Sequence, residues 1–269
     1  MINVLQFGRI GYAQGLEIQA RIEAARKAGE IEDTLLLLEH TSVITLGRNA
    51  RDANIVVSRE QLAERGVEVF ECNRGGDVTY HGPGQLVGYP IFDLRSYSPR
   101  IGAVEFVRKI EEVLIRTCAE YGVVTQRVAG RTGVWTRPIE REGARANDSA
   151  ERKVAAIGVH ISRFVTTHGF ALNVSNDLDY FKLIVPCGIA DKPVTSLQKE
   201  VASTFFTRAI DEITVEEVAE AAARNFGVVF GKPLRHVMSL EALLGPKVDI
   251  PAKPPRELRE MHGGEAALG

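Results

Sequence analysis

Cys187 stands in Val185-Pro186-Cys187-Gly188-Ile189, after an apolar run that ends in proline and before a glycine, so its thiol is held at a bend open to approach. A thiolate there could attack an activated carbonyl and hold an acyl group as a thioester. The competing reading is structural, because free cysteines are more often small buried hydrophobes. That reading suits Cys118 well and Cys72 nearly as well. Lys153 opens an apolar stretch, where a lysine is more often a surface charge than a catalytic group. An ammonium within about 4 Å of a thiol would attract its thiolate by up to about 4 kcal/mol at an effective dielectric of 20, close to three pKa units. Burial would lower the lysine's own pKa and let it exchange protons near neutrality.

A second cluster is Arg74-Gly75-Gly76-Asp77-Val78-Thr79-Tyr80-His81-Gly82-Pro83-Gly84-Gln85. As structure alone it is a hairpin with glycines at positive φ. As function, paired glycines let backbone approach a ligand, and Tyr80 and His81 wall an acyl tunnel. His40, His81 and His168 each fit a hydrogen-bonded structural histidine better than a direct chemical role.

The elements that must position these residues follow from period and punctuation. Asn3 to Phe7 is a short strand, and Tyr12 to Lys27 a helix that stops at Gly29. Thr34 to Leu38 and Val43 to Leu46 form paired strands, Ser58 caps a helix through Arg65 that Gly66 ends, and Val67 to Phe70 begins another strand. Ala103 to Tyr121 sets Val104, Val107, Leu114, Cys118 and Tyr121 on one helical face. Val154 to Val165 and Phe170 to Val174 are adjacent buried strands joined by a turn around Thr166 to Gly169, and Thr214 caps a helix that ends at Gly227. Residues 137–152 are a polar insert, and the Pro-, Lys-, Arg- and Glu-rich end makes 236–269 a weakly ordered tail. One catalytic domain over residues 1–235 remains.

Composition excludes several classes. The chain has 269 residues, 45% hydrophobic and 25% charged, with a net charge of -2, which lacks the basic excess that nucleic-acid binding needs. Three scattered cysteines suit a reducing compartment, and the N-terminal residues lack the charged and apolar regions of a signal peptide, so a cytoplasmic location is expected. No apolar run approaches the ~20 residues that a membrane span requires. No phosphate-cradling glycine motif and no paired Cys or His spacing is present, so neither ATP activation nor a metal or other cofactor is expected.

Taken together, these segments resemble the lipoyl(octanoyl) transferase family. Leu38-Glu39-His40, Thr45-Leu46-Gly47-Arg48, the glycine segment, Gly130-Arg131-Thr132-Gly133-Val134-Trp135, Lys153-Val154-Ala155-Ala156-Ile157-Gly158-Val159, His168 through Val174 and Pro186-Cys187-Gly188-Ile189 appear in family order, over about residues 3 to 230. The resemblance implies an α+β fold of the biotin and lipoate protein ligase type, a central mixed sheet flanked by helices. It implies Cys187 as the acyl-thioester nucleophile and Lys153 as the group that lowers its pKa. Substrate contacts carry over to Arg74, Gly75, Gly76, Asp77, Val78, Thr79, Tyr80 and His81, to Ala156, Ile157 and Gly158, and to Gly169, Phe170 and Ala171.

The implied reaction takes octanoyl from octanoyl-acyl carrier protein through a Cys187 thioester to the lysine of a lipoyl domain. The implied acceptors are lipoyl domains of 2-oxoacid dehydrogenases and the glycine cleavage H protein. Burying six methylenes would add roughly 5 kcal/mol toward chain-length selection, at about 0.8 kcal/mol each. Rivals on the same fold are an ATP-dependent lipoate ligase and a lipoyl-domain amidotransferase, and a rival of another class is a non-catalytic acyl-binding module.

Overall fold

The computed structural model describes residues 1–137, 151–185, 193–204 and 212–245. In chain order the elements are β1 (Ile2–Ile10), α1 (Tyr12–Ala28), β2 (Asp33–His40), β3 (Val43–Leu46), α2 (Arg59–Glu64), β4 (Glu68–Glu71), β5 (Val78–His81), β6 (Gln85–Ile91) and α3 (Ala103–Glu120). After them come β7 (Thr125–Val128), β8 (Arg131–Thr136), β9 (Lys153–Ser162), β10 (Val165–Asn173), α4 (Leu197–Thr204), α5 (Val215–Phe230), β11 (Leu234–His236) and α6 (Leu240–Leu244). Eight strands form one mixed sheet in the order β11-β1-β2-β6-β10-β9-β8-β7, and β4-β3-β5 form a smaller one.

Alternation along the strands decides what each face of the large sheet buries. Val4, Leu35, Leu37, Phe170 and Leu172 point to α3 and α5, where Phe106, Ile110, Val113, Leu114, Phe226 and Phe230 complete one core. Leu5, Leu36, Leu38, Val87, Tyr89 and Ala171 point the other way, to Ile18 and Ile22 of α1 and to Leu240 and Leu243 of α6. A central strand buried on both faces needs no polar alternation, which is why Leu35 to Leu38 runs unbroken. Among the described residues no helix is long and apolar enough to cross a membrane.

Several sequence expectations change. β2 and β3 do not pair with each other: β2 lies between β1 and β6 in the large sheet, while β3 pairs with β4 and β5. Nor do β5 and β6 make a hairpin. The chain passes from small sheet to large through Gly82-Pro83-Gly84, with Gly84 at φ +80° and its carbonyl accepting from the amides of Val174, Ser175 and Asn176. The turn between β9 and β10 falls at Arg163 and Phe164, both at positive φ, because Thr166 to Gly169 is consumed in pairing with β9.

On α3 the inward stripe is Phe106, Ile110, Val113, Leu114, Thr117 and Cys118, while Val104 is 74% exposed in the first turn. α5 continues past Gly227 to Phe230, since Phe226 and Phe230 lie on one face, and closes at left-handed Gly231. Packing also runs past the boundary expected at 235: Ser239 caps α6, whose Leu240 and Leu243 enter the second core. Most of the polar insert, from 138 to 150, lies outside the described residues, as does the tail beyond 245.

Candidate active site

The cleft lies on the α1 side of the large sheet, roofed by the segment from Arg74 to His81, with about 850 Å³ of empty space including its open mouth. β9 and β10 form its floor through antiparallel pairing that sets Gly158 opposite Gly169, Ile157 opposite Phe170 and Ala156 opposite Ala171. The roof docks on the floor where neither has a side chain. Gly75 donates its amide to the Val159 carbonyl at 3.1 Å, and a Cβ on Gly158 would stand 2.5 Å from the Gly75 carbonyl oxygen.

Lys153, Arg74, Gly75, Gly76, Asp77, Val78, Thr79, His81, Ala156, Ile157, Gly158, Gly169, Phe170 and Ala171 all line this cleft. Tyr80 does not. Successive side chains of β5 point to opposite faces, so Thr79 and His81 face the cleft while Tyr80 packs among Ile44, Leu183 and Ile184 and stacks on Tyr180. Cys187 lies outside the described residues.

Arg74 is 8% exposed, yet among the described residues its guanidinium meets no carboxylate. Nε and Nη2 donate to the Thr45 hydroxyl at 3.1 and 2.8 Å, Nη2 also to the Thr45 carbonyl at 2.6 Å, and Nη1 to the Gly75 carbonyl at 3.1 Å. Below it runs a buried polar chain. The Gln85 amide nitrogen donates to Asn173 Oδ1 at 2.9 Å, so its carbonyl oxygen faces His81 Nδ1 at 2.8 Å and fixes the proton there. His81 Nε2 then accepts from the Thr45 hydroxyl at 3.4 Å, and Asn173 donates to the Thr195 carbonyl at 2.9 Å.

His40 is ordered in the same way. Its Nδ1 donates to the Ile10 carbonyl at 3.1 Å, and its Nε2 accepts from the Tyr89 hydroxyl at 2.7 Å. His168, at φ +54° within β10, donates its backbone amide to the Gln19 side-chain oxygen at 2.8 Å and sets Nε2 against Asn73 Oδ1 at 2.8 Å. His40 is lowered to about 4 and His81 and His168 to about 3, chiefly by burial, with His40 and then Arg74 contributing at His81 and Arg74 at His168. The three imidazoles are neutral at pH 7 and serve as hydrogen-bonding struts, in line with the structural reading of their sequence. Burial likewise raises the Tyr12 and Tyr89 hydroxyls, which hold their protons.

Lys153 begins β9 at the cleft edge, its ammonium 5.2 Å above the Trp135 ring centroid. Its backbone joins the segment that follows Cys187 in sequence: Lys153 N–H donates to the Pro193 carbonyl at 3.0 Å, and Thr195 N–H donates to the Lys153 carbonyl at 2.9 Å. The neighbouring Arg152 grips Glu200 with Nε at 3.0 Å and Nη2 at 2.8 Å. Burial pushes the Cys118 thiol up to about 12, and Cys72 is buried with its sulfur toward the Leu46 carbonyl at 3.5 Å, so both have the structural character expected of them. Sequence reasoning missed Tyr12, Tyr89 and Asn173 as lining residues. Tyr12 and Tyr89 sit in separate elements with no spacing signal to link them, whereas Asn173 follows Gly169 and Ala171 at the two-residue period of β10, a signal that could have found it.

A family model, the lipoyl protein ligase A/B catalytic domain, matches residues 11–227. An octanoyltransferase of Koribacter versatilis is 55% identical over 100% of both chains, and one of Acidobacterium capsulatum is 60% identical over 86% of this chain and 91% of that one. Among solved structures, the bipartite lipoate protein ligase of Thermoplasma acidophilum superposes with a TM-score of 0.63 at 16% identity, covering 91% of this chain and 90% of that one. A lipoate-protein ligase A bound with ATP gives 0.62 at 15% identity, over 91% and 92%. These two likenesses bear on the fold, which is the mixed sheet with flanking helices that the sequence led us to expect.

Proposed function

We propose, for a chain that belongs to the lipoyl protein ligase A/B catalytic-domain family, that it moves octanoyl groups by way of a thioester on Cys187. The chain is an acyltransferase of protein lipoylation, as its octanoyltransferase relatives are named. The Cys187 thiolate attacks the thioester carbonyl of octanoyl-acyl carrier protein, the carrier's thiolate leaves, and an octanoyl-enzyme forms. The amine of a lipoyl-domain lysine then attacks that carbonyl, the Cys187 thiolate leaves, and the amine's proton passes to a thiolate by way of Lys153. Exchange of one thioester for another is nearly isoenergetic, and amide formation then draws the reaction forward without ATP. The acceptors on this reading are lipoyl domains of 2-oxoacid dehydrogenases and the glycine cleavage H protein.

One observation carries the reading. Lys153, the Arg74–His81 roof and the paired 156–158 and 169–171 floor converge on a single cleft, and Lys153 is hydrogen-bonded to Pro193, the first described residue after Cys187. Such a floor of small and apolar residues suits an alkyl chain, and the Arg74 guanidinium and roof amides suit a carbonyl oxygen that gains charge. The catalytic unit takes in residues 1–235 together with the packed residues through 245. Two free, buried cysteines fit a reducing cytoplasm as the place of action.

The test is incubation with octanoyl-acyl carrier protein in the absence of ATP, followed by intact mass. An octanoyl adduct that Cys187→Ala abolishes is expected. An ATP requirement, or an adduct that persists in the variant, overturns the reading.

A further inference from the structure

The outer edge of the cleft contains an arrangement around Lys153 that the proposed chemistry does not by itself require. β8 and β9 pair with a break in register: Val134 opposes Ala155, but Trp135 opposes Lys153, so Val154 is an extra residue on the β9 side. A bulge of this kind bends its strand and re-aims the neighbouring side chain. It leaves Lys153 leaning across β8 with its ammonium 5.2 Å above the Trp135 ring, a cation–π distance, while the Arg131 guanidinium lies 5.9 Å from the same centroid.

Gly133 sits where the lysine stem passes. Its φ of +123° is one that side chains of L-residues rarely adopt, and a Cβ there would stand 2.7 Å from Lys153 Cε, 3.4 Å from Lys153 Nζ and 2.6 Å from the Ala155 carbonyl oxygen. The carbonyl is backbone and cannot move aside. Gly133 is in turn held from behind, where its amide donates to Glu111 Oε1 at 3.2 Å. Glu111 is fully buried on α3 and receives Arg108 Nη1 at 2.7 Å and Arg127 Nε at 3.1 Å on its other oxygen. A buried carboxylate between two arginines is a costly thing to build merely to end a strand turn.

We infer that Gly133 and Trp135 are positioning residues for Lys153: the missing side chain of Gly133 is the slot for its stem, and the Trp135 ring is the surface that holds its ammonium. Glu111 fixes the backbone of the slot. This rests on the role given above to Lys153 as the cation that keeps Cys187 a thiolate. The side chain of Lys153 is long, and a slot that receives its stem narrows the rotamers it can sample and so favours one placement of its ammonium at the cleft.

The experiment follows the pH dependence of iodoacetamide alkylation at Cys187, read by mass spectrometry of the peptide that contains it, in the full chain. Lys153→Met is expected to move the alkylation midpoint upward, and Gly133→Ala to move it the same way by about one unit, a tenfold loss of reactive thiolate at a given pH. In the Lys153→Met background, Gly133→Ala should add nothing, because it acts only through the lysine. Trp135→Phe should keep the wild-type midpoint and Trp135→Leu should lose it, a pair that tests the slot even where Gly133→Ala folds poorly.

An unmoved midpoint in folded Gly133→Ala, a further rise in the Lys153→Met background, or equal behaviour of the Phe and Leu variants overturns the inference while leaving the Cys187 adduct intact. A midpoint unmoved in Lys153→Met removes the premise and the inference together.

Discussion

At the scale of single residues, Arg74 has the largest consequence for chemistry. A guanidinium this buried is usually matched by a carboxylate, because an uncompensated charge in the interior is expensive. Among the described residues its partners are the oxygens of Thr45 and Gly75, all neutral, so its field acts on the cleft and adds to the burial that keeps His81 and His168 from protonating. Arg74→Lys retains the charge but cannot serve the Thr45 carbonyl, the Thr45 hydroxyl and the Gly75 carbonyl from one fixed fork. We expect kcat/KM for octanoyl transfer to fall by about tenfold or more, and stability to fall by about 1–3 kcal/mol from the acceptors left unpaired. Steady-state transfer assays with thermal denaturation of the same preparations check both, and an Arg74→Lys enzyme of wild-type activity would show that the fork has no part in the reaction. The neighbours Tyr80 and His81 show what residue types alone could not decide. Both were candidate walls of an acyl tunnel, and the two-residue period of β5 turns His81 inward and Tyr80 onto Tyr180.

At the scale of elements, local signals were legible and partners were not. Ser58 and Thr214 cap their helices with complete capping boxes, as their spacing to Gln61 and Glu217 implies. The strand pairs were harder: β2 with β3 and β5 with β6 each read as a hairpin because they are consecutive and closely spaced, yet in both cases the chain leaves one sheet for the other. Nothing in a short apolar run states which sheet it joins, since that depends on contacts far away in sequence. The same distance dependence hid the docking of the 74–76 segment on β9, although the glycines that permit it were conspicuous. Gly158→Ala tests that docking. Its Cβ would meet the Gly75 carbonyl, which is backbone, so the roof must lift. We expect a destabilisation of about 1–3 kcal/mol, a Tm lower by about 2–4 °C for each kcal/mol, and a KM for the acyl donor raised more than kcat is lowered. A variant that loses stability with no change in KM would place the Gly75–Gly158 approach outside substrate binding.

At the scale of the whole molecule, three neutral histidines in a buried polar layer tie the fold to pH. His40, His81 and His168 each have a folded-state pKa below the ordinary value of 6.5, at about 4, 3 and 3. Below pH 6.5 the unfolded chain therefore takes up protons that the folded chain refuses, and stability must fall as acid is added. The contribution is fully present above pH 6.5 and is lost as the pH drops toward 4 and 3, the opposite sense from a histidine stabilised by a carboxylate. Urea titrations at pH 7.5, 6.5, 5.5 and 4.5 should show an unfolding free energy that declines ever more steeply, approaching an uptake of about three protons per molecule, or about 4 kcal/mol per pH unit, near pH 5. The carboxylates with lowered pKa, Glu60, Asp93, Glu112 and Asp179, add to the decline only at the acid end of the series, as the pH reaches their ordinary range, and half-buried His160, also lowered, adds to it below pH 6.5. His40→Gln should cost stability at pH 7.5, because the amide cannot both donate to Ile10 and accept from Tyr89 with imidazole geometry, yet it should reduce the acid slope by about one proton. A stability curve flat from pH 7.5 to 4.5 would mean that these imidazoles are charged or solvated in the folded protein, and the neutral layer beneath Arg74 would have to be abandoned.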